Sequence, residues 1–134
     1  MKKIEKMKIK SLDHLVLTVR DIEATCLFYE KVLGMETVIF GDNRRALKFG
    51  SQKFNLHSFG NELEPKSEKP TPGSADLCLI SDTPMDRIKK QLQENNIPII
   101  EGPVKRTGAM GPILSIYIRD PDQNLLEISN LSIA

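Results

Sequence analysis

One order of elements is written twice along this chain: a strand, a helix, then three strands. Each such unit has one apolar face, which it can bury only against its own helix, its twin or a second copy. The repeat therefore predicts two similar half-sheets related by a pseudo-two-fold axis. In the first unit, residues 12–19 are dense in leucine and β-branched residues and read as a strand. Asp21 is placed to cap a helix on which Ile22, Cys26, Tyr29 and Leu33 recur at helical spacing, and Gly34 ends it. Strands follow at 36–40, 45–49 and 53–58, separated by the turn signals "GDN" and "GSQ". Residues 60–74, "GNELEPKSEKPTPGS", hold three prolines and five charges, so they read as a linker. The pattern then restarts. A strand is expected at 75–80, with Thr83 as N-cap, Pro84 at the first helical position, and a buried stripe of Met85, Ile88 and Leu92. Further strands are expected at 97–100, 113–119 and 125–129, with "EGPVKRTGAMGP" as a glycine-bearing loop between the first two. The expected fold class is α+β: two βαβββ repeats over 10–59 and 75–130, forming a curved, mainly antiparallel mixed sheet in one domain spanning 1–134.

The repeat also fixes correspondences. An offset of 62 lays "DHLVLTV" over "ADLCLIS" and puts His14 over Asp76. An offset of 70 lays "NLHSF" over "LLEIS" and puts His57 over Glu127. The extra eight residues fit a longer loop around "KRTGAMG". The chain's only two histidines thus fall opposite two carboxylates, on the first and last strand of each unit. Two imidazoles and two carboxylates are a competent donor set for a divalent cation, and two carboxylates neutralise its charge. Taken singly, each has a plainer reading. A strand histidine is commonly a hydrogen-bonded core residue, Asp76 would cap the turn after "PGS", and Glu127 would face solvent.

Composition narrows the partners. Nineteen basic and eighteen acidic residues leave a net charge of +1, which gives no electrostatic case for nucleic acid or an anionic membrane. No apolar run approaches the roughly 18 residues of a membrane span. The N-terminal "MKKIEKMKIK" has the charge of a signal sequence without an apolar region behind it, so no export signal is read, and the first seven or so residues are expected to form a loose basic tail. Cys26 and Cys78, in a predicted helix and a predicted strand, form no disulfide framework. A cytoplasmic location is the expectation.

The strings "LDHLVLTVRDIEATCLFYEKVLGM" and "IRDPDQNLLEIS" resemble the vicinal oxygen chelate superfamily, which holds glyoxalase I, fosfomycin-resistance transferases, extradiol dioxygenases, methylmalonyl-CoA epimerase and bleomycin-resistance proteins. The likeness covers residues 10–130. "FGSQKFNLH" and "EGPVKRTGAMGPI" are further similar to a branch containing glyoxalase-domain-containing protein 5 and bacterial virulence-associated lactoylglutathione lyase-like proteins. The resemblance implies a divalent metal (Zn, Ni, Mn, Fe or Co) held by His14, His57, Asp76 and Glu127. His57 falls where glyoxalase I carries a glutamate, and Asp76 where most members carry a histidine. Gln123 stands where the usual motif has glycine. The resemblance also implies a homodimer and a metal-dependent lyase or isomerase of lactoylglutathione lyase type, acting on a small oxo-compound or thiol conjugate that chelates the metal. Glu127 and His57 are the expected acid–base groups. Candidates to hold the substrate are Arg44 or Arg45, Lys105 or Arg106, and Met110 in a "GAMG" segment that reads as a lid or as a plain turn. A thiol transferase or dioxygenase on the same scaffold, or a metal-free antibiotic-binding protein, are the alternatives.

Overall fold

A computed structural model describes residues 4–132. Residues 4–13 are exposed and carry no helix or strand, and the rest of the expected basic tail lies outside the described residues. The elements run β1 (His14–Val19), α1 (Ile22–Leu33), β2 (Glu36–Phe40), β3 (Arg44–Phe49), β4 (Gln52–Ser58), β5 (Asp76–Ile80), α2 (Met85–Glu94), β6 (Glu101–Gly108), β7 (Gly111–Arg119) and β8 (Leu125–Leu131). They form two mixed four-stranded sheets of matching order, β1-β4-β3-β2 and β5-β8-β7-β6. In each sheet the first strand runs parallel to the last and the other pairs are antiparallel. The fold is α+β, as the repeated pattern predicts.

Local chemistry explains the boundaries. Asp21 has extended dihedrals and its carboxylate accepts the Ala24 N–H at 3.0 Å, capping α1. Gly34 ends the helix at φ 67, donating its N–H to the Glu30 carbonyl while the Met35 N–H reaches the Tyr29 carbonyl. The second helix departs from expectation at its start. Pro84, not Thr83, is the last residue outside the helix, with ψ 144, and no side chain caps the turn. The Pro84 carbonyl instead accepts the Arg87 and Ile88 N–H groups.

The second strand of the second unit also moves. Residues 97–100 are irregular, and β6 occupies most of the segment expected to be a loop. Its charges, glycine and proline hid it, yet all are tolerated because β6 is an edge strand with a bulge between Glu101 and Val104. At Gly102 a Cβ would lie 2.5 Å from the Ser115 carbonyl oxygen, so the residue is small where two strands nearly touch.

Alternation along the strands puts one face of each sheet against its helix. Leu17, Val19, Leu47, Phe54 and Leu56 of the first sheet and Ile116, Ile118, Leu126 and Ile128 of the second join Tyr29, Met85, Ile88 and Leu92 in one continuous core. A polar tie crosses between the halves beside it. The Tyr29 hydroxyl, on the first helix, donates to Asp120 Oδ2 at 2.6 Å in the β7–β8 connection. Each sheet turns its other face, the open face, away from the helices. Some of its residues, Ala46, Asn55, His57, Ser115 and Ser129 among them, are buried, others are at least partly exposed, and the candidate chemistry lies there.

Candidate functional site

On the first sheet the open face carries His14, Val16 and Thr18 from β1, Lys53, Asn55 and His57 from β4, and Arg44, Ala46 and Lys48 from β3, since these residues alternate with the core positions. On the second it carries Asp76, Cys78 and Ile80 from β5, Glu127 and Ser129 from β8, and Ser115 and Tyr117 from β7. His14, His57, Asp76 and Glu127 therefore all sit on open faces.

The ladders set their spacing. Thr18, not His14, lies beside His57; His14 lies beside Lys53. Four residues of rise put His14 and His57 about 13 Å apart along neighbouring strands. In the second sheet Asp76 lies beside Leu125, and Glu127 beside Cys78, a separation of only two residues. The residue of the first sheet that repeats this two-residue diagonal from His14 is Asn55, which lies beside Val16. The offset of 62 itself holds through the helices: Gly34 and Asn96, its two members after each helix, both adopt positive φ, 67 and 57. With that offset fixed, the ladders make the last-strand offset 72, so Glu127 corresponds to Asn55 and His57 falls two residues beyond. The extra residues are taken up by a longer α2–β6 connection, by β6 and β7 being longer than β2 and β3, and by a longer β7–β8 connection.

Environments differ as sharply. His14 is half-exposed and its Nδ1 lies 2.9 Å from the Asp13 carboxylate. His57 is buried, and burial together with the Arg44 guanidinium lowers its pKa below the ordinary value, against a smaller opposing pull from Glu62. It borders a cleft of about 400 Å³ walled by Val16 and Thr18 and by Pro65, Lys66 and Pro70 of the linker. Asp76 borders a neighbouring cleft of about 330 Å³ on the other side of β1. A larger cleft, about 850 Å³, lies between the halves near Gly34, Phe49 and Leu92, and of these open-face groups it touches only Cys78 and Ile80. Asn55 is buried and its Oδ1 has no hydrogen-bond partner. A buried amide oxygen without a donor is costly and points to a missing partner.

Glu127 is the most constrained of the group. Ser115, fully buried on β7, donates to Glu127 Oε2 at 2.6 Å. Ser129 lies 2.7 Å from Ser115 and 3.4 Å from the Cys78 sulfur. The row runs thiol, hydroxyl, hydroxyl, carboxylate. Burial raises the Cys78 pKa, and the charges of Glu127 and Asp76 add to the rise. Among the described residues no three His, Cys, Asp or Glu side chains converge closely enough to hold an ion within one chain.

The substrate candidates separate by strand parity. Arg44 is on the open face, with its Cζ 4.6 Å from the Phe40 ring centroid. Arg45 alternates to the helix side, where Asn43 accepts two hydrogen bonds from its Nη1. Lys105 and Arg106 lie on edge strand β6, and Arg106 is engaged by the Tyr117 hydroxyl at 3.0 Å and by Glu101 at 3.4 Å. Met110 is exposed at the two-residue turn joining β6 to β7, so "GAMG" is a hairpin turn in this chain. Sequence reasoning missed Asn55, Ser115, Phe40 and Lys53. Only parity along the strands, once register is known, gathers them.

Comparisons with known proteins bear on this arrangement. The model of the Glyoxalase/Bleomycin resistance protein/Dioxygenase superfamily matches residues 11–128. The chain is 58% identical over 123 residues to virulence protein STM3117 of Salmonella typhimurium, spanning 92% of this chain and 85% of that one. It is 56% identical over 124 residues to the glyoxalase domain-containing protein RDO1 of Mycosarcoma maydis, spanning 92% and 70%. Among solved structures, the integron cassette protein VCH_CASS1 from the mobile metagenome of V. cholerae superposes with a TM-score of 0.93 at 58% identity, covering 96% of this chain and all of that one.

Proposed function

The chain belongs to the glyoxalase/bleomycin resistance protein/dioxygenase superfamily, and on that premise we propose that it is a metal-dependent lyase or isomerase that acts on a small oxo-compound or thiol conjugate. The observation that supports this reading is the matched pair of diagonals. His14 and Asn55 on one open face repeat the placement of Asp76 and Glu127 on the other. Each pair offers nitrogen or oxygen donors at the same step, and the unpartnered Asn55 oxygen fits a cation. We propose His14, Asp76 and Glu127 as ligands, Asn55 as the fourth donor in preference to His57, and His57 as a neighbouring acid–base group. A divalent ion there would supply Lewis-acid stabilisation of a developing oxyanion. Glu127 would hold and move the proton, with Ser115 fixing one carboxylate oxygen so that the other is free for that work.

Among the described residues no three His, Cys, Asp or Glu side chains meet within one chain, so this reading takes the two kinds of open face to meet between chains. Val16 and Ile80 leave apolar surface exposed on those faces, which a second copy would cover. A homodimer is thus part of the proposal, and a reducing compartment suits its two free cysteines. Among the described residues no helix is long and apolar enough to cross a membrane.

Calorimetric titration with Zn, Ni, Mn, Fe and Co of the wild type and of His14→Ala, Asn55→Ala, His57→Ala and Glu127→Ala tests the ligand set. Binding should fall strongly in His14→Ala and Glu127→Ala, fall in Asn55→Ala, and persist in His57→Ala. A wild type that binds none of these ions would leave the fold to a binding protein of the bleomycin-resistance kind.

A further inference from the structure

The open face of the first sheet carries Arg44 near His57, and Lys48 beside Lys53 four residues away, with Glu36 on β2 facing Lys48. Two of these cations converge on one aromatic ring. Arg44 Cζ lies 4.6 Å and Lys53 Nζ 4.0 Å from the Phe40 centroid, so the two charges are no more than about 9 Å apart. Lys53 reaches Phe40 across two strands and four residues of register, extended along the face. Among the described residues neither cation has an acidic partner. The ion pairs among the described residues go to His14, Arg20, Lys66 and Arg106. Among the described residues the Arg44 guanidinium has no hydrogen-bond acceptor, and its Nε is buried. Its sequence neighbour Arg45 gives two hydrogen bonds from its Nη1 to Asn43. Aromatic faces attract cations, yet a ring cannot accept a guanidinium's in-plane hydrogen bonds, and two like charges beside it repel. An oxyanion satisfies all of these at once. With hydrogen bonds of about 2.8 Å on either side, a carboxylate or phosphate bridges cations up to about 8 Å apart, within reach of a small side-chain swing.

We propose that Arg44 and Lys53, held on the Phe40 ring, form a recognition site for an oxyanion group, a carboxylate or a phosphate, on the ligand taken up by the open face. The proposal rests on the open face being the binding face, and it names the class of ligand: an anionic small molecule. His57 stands beside the site as a neutral donor at neutral pH, and Asn55 lies two residues further along β4.

The test separates this site from the metal. Protein freed of metal with a chelator is titrated with inorganic phosphate and, separately, with acetate, while the side-chain Nε–H signal of Arg44 and the ammonium signal of Lys53 are followed by NMR. Saturable shifts of both signals are expected, and the stronger of the two anions identifies the preferred group. Arg44→Gln and Lys53→Gln should each weaken binding about tenfold or more, as loss of one charge-assisted contact implies, while Arg45→Gln binds as the wild type. Thermal melts establish that each variant is folded, and Phe40→Leu, which keeps both charges but removes the platform, should weaken binding as well. Absence of saturation in the wild type overturns the proposal. So does equal weakening by Arg45→Gln, or wild-type affinity in both Arg44→Gln and Lys53→Gln. Metal titration of Arg44→Gln runs alongside: unchanged metal affinity with lost anion binding is the expected pairing, and intact anion binding in a protein that takes no metal would refute the metal reading alone.

Discussion

Removing one oxygen atom tests how the two halves are held together. Tyr29→Phe deletes the hydroxyl that donates to Asp120 Oδ2 at 2.6 Å, both partners being buried. Burial raises the Tyr29 pKa far above the usual phenol value, with the charge of Asp120 and the hydrogen bond adding to the rise, so the hydroxyl keeps its proton at every working pH. Asp120 would not be left bare. Its Oδ1 still accepts the Asp122 and Asn124 N–H groups at 2.9 Å, and its Oδ2 the Asn124 side-chain amide at 2.8 Å. The loss is then one hydrogen bond to a charged acceptor, about 2 kcal/mol, with no cavity because the ring stays. For a chain of this length that is a fall in melting temperature of about 6–8 °C. Asp120→Asn should cost more, about 3 kcal/mol or above. Its new amide would have to point at Tyr29 and Asn124, both of which offer protons, and Asn124 cannot turn round because its Oδ1 accepts the Ala75 N–H at 2.9 Å. Urea unfolding with unchanged slope gives both numbers, and the double mutant gives the coupling. A Tyr29→Phe midpoint within 0.5 kcal/mol of wild type would refute the idea that this bond ties the halves.

Two further outcomes follow from single positions. Gln123 sits at φ 73 in the turn before β8, a conformation that costs a side chain with a Cβ, so Gln123→Gly should stabilise by about 0.5–1 kcal/mol in the same urea assay. His57 is held neutral by burial first and by Arg44 second, so its folded pKa lies below the unfolded value of 6.5. The neutral form is the one the fold favours; its contribution to stability is complete above that value and is lost as pH falls below it. Arg44→Gln removes the second cause only, so an NMR titration of the His57 ring should show its pKa rising while staying below 6.5, and a fall would contradict the placement.

Much of the fold was legible because its signals are local. The stripe of Ile22, Cys26, Tyr29 and Leu33, with Asp21 before it and Gly34 after it, contains the geometry of α1 in the letters. Alternation in "DHLVLTV" and "ADLCLIS" likewise located β1 and β5. Edge strand β6 was not legible, because its hydrogen bonds on one side go to β7 and on the other to nothing, and such a strand need not look apolar. The site was half legible for the same reason. His14, Asp76 and Glu127 could be picked by residue type and repeat position, but which residue of β4 stands opposite them depends on pairing across the sheet, which the chain's letters do not encode.

That dependence decides the chemistry. Letter matching between "NLHSF" and "LLEIS" rewards the shared leucine and so prefers the offset of 70. The ladders, with Gly34 and Asn96 as fixed marks, require 72. Moving by two keeps every side chain on its face, so parity alone detects nothing, yet it exchanges an imidazole for an amide at the matched position. The histidine so displaced lies beside Thr18 and Arg44 instead, and there burial and a neighbouring cation favour a neutral ring. A neutral imidazole next to the Arg44 guanidinium is suited to donate to or accept from an anionic ligand, whereas His14, a proposed ligand to the ion, stands some 13 Å away along the strands. The same residue that the repeat pattern offers as a metal ligand thus stands in the sheet beside Thr18 and Arg44, where the proposed function gives it the acid–base role.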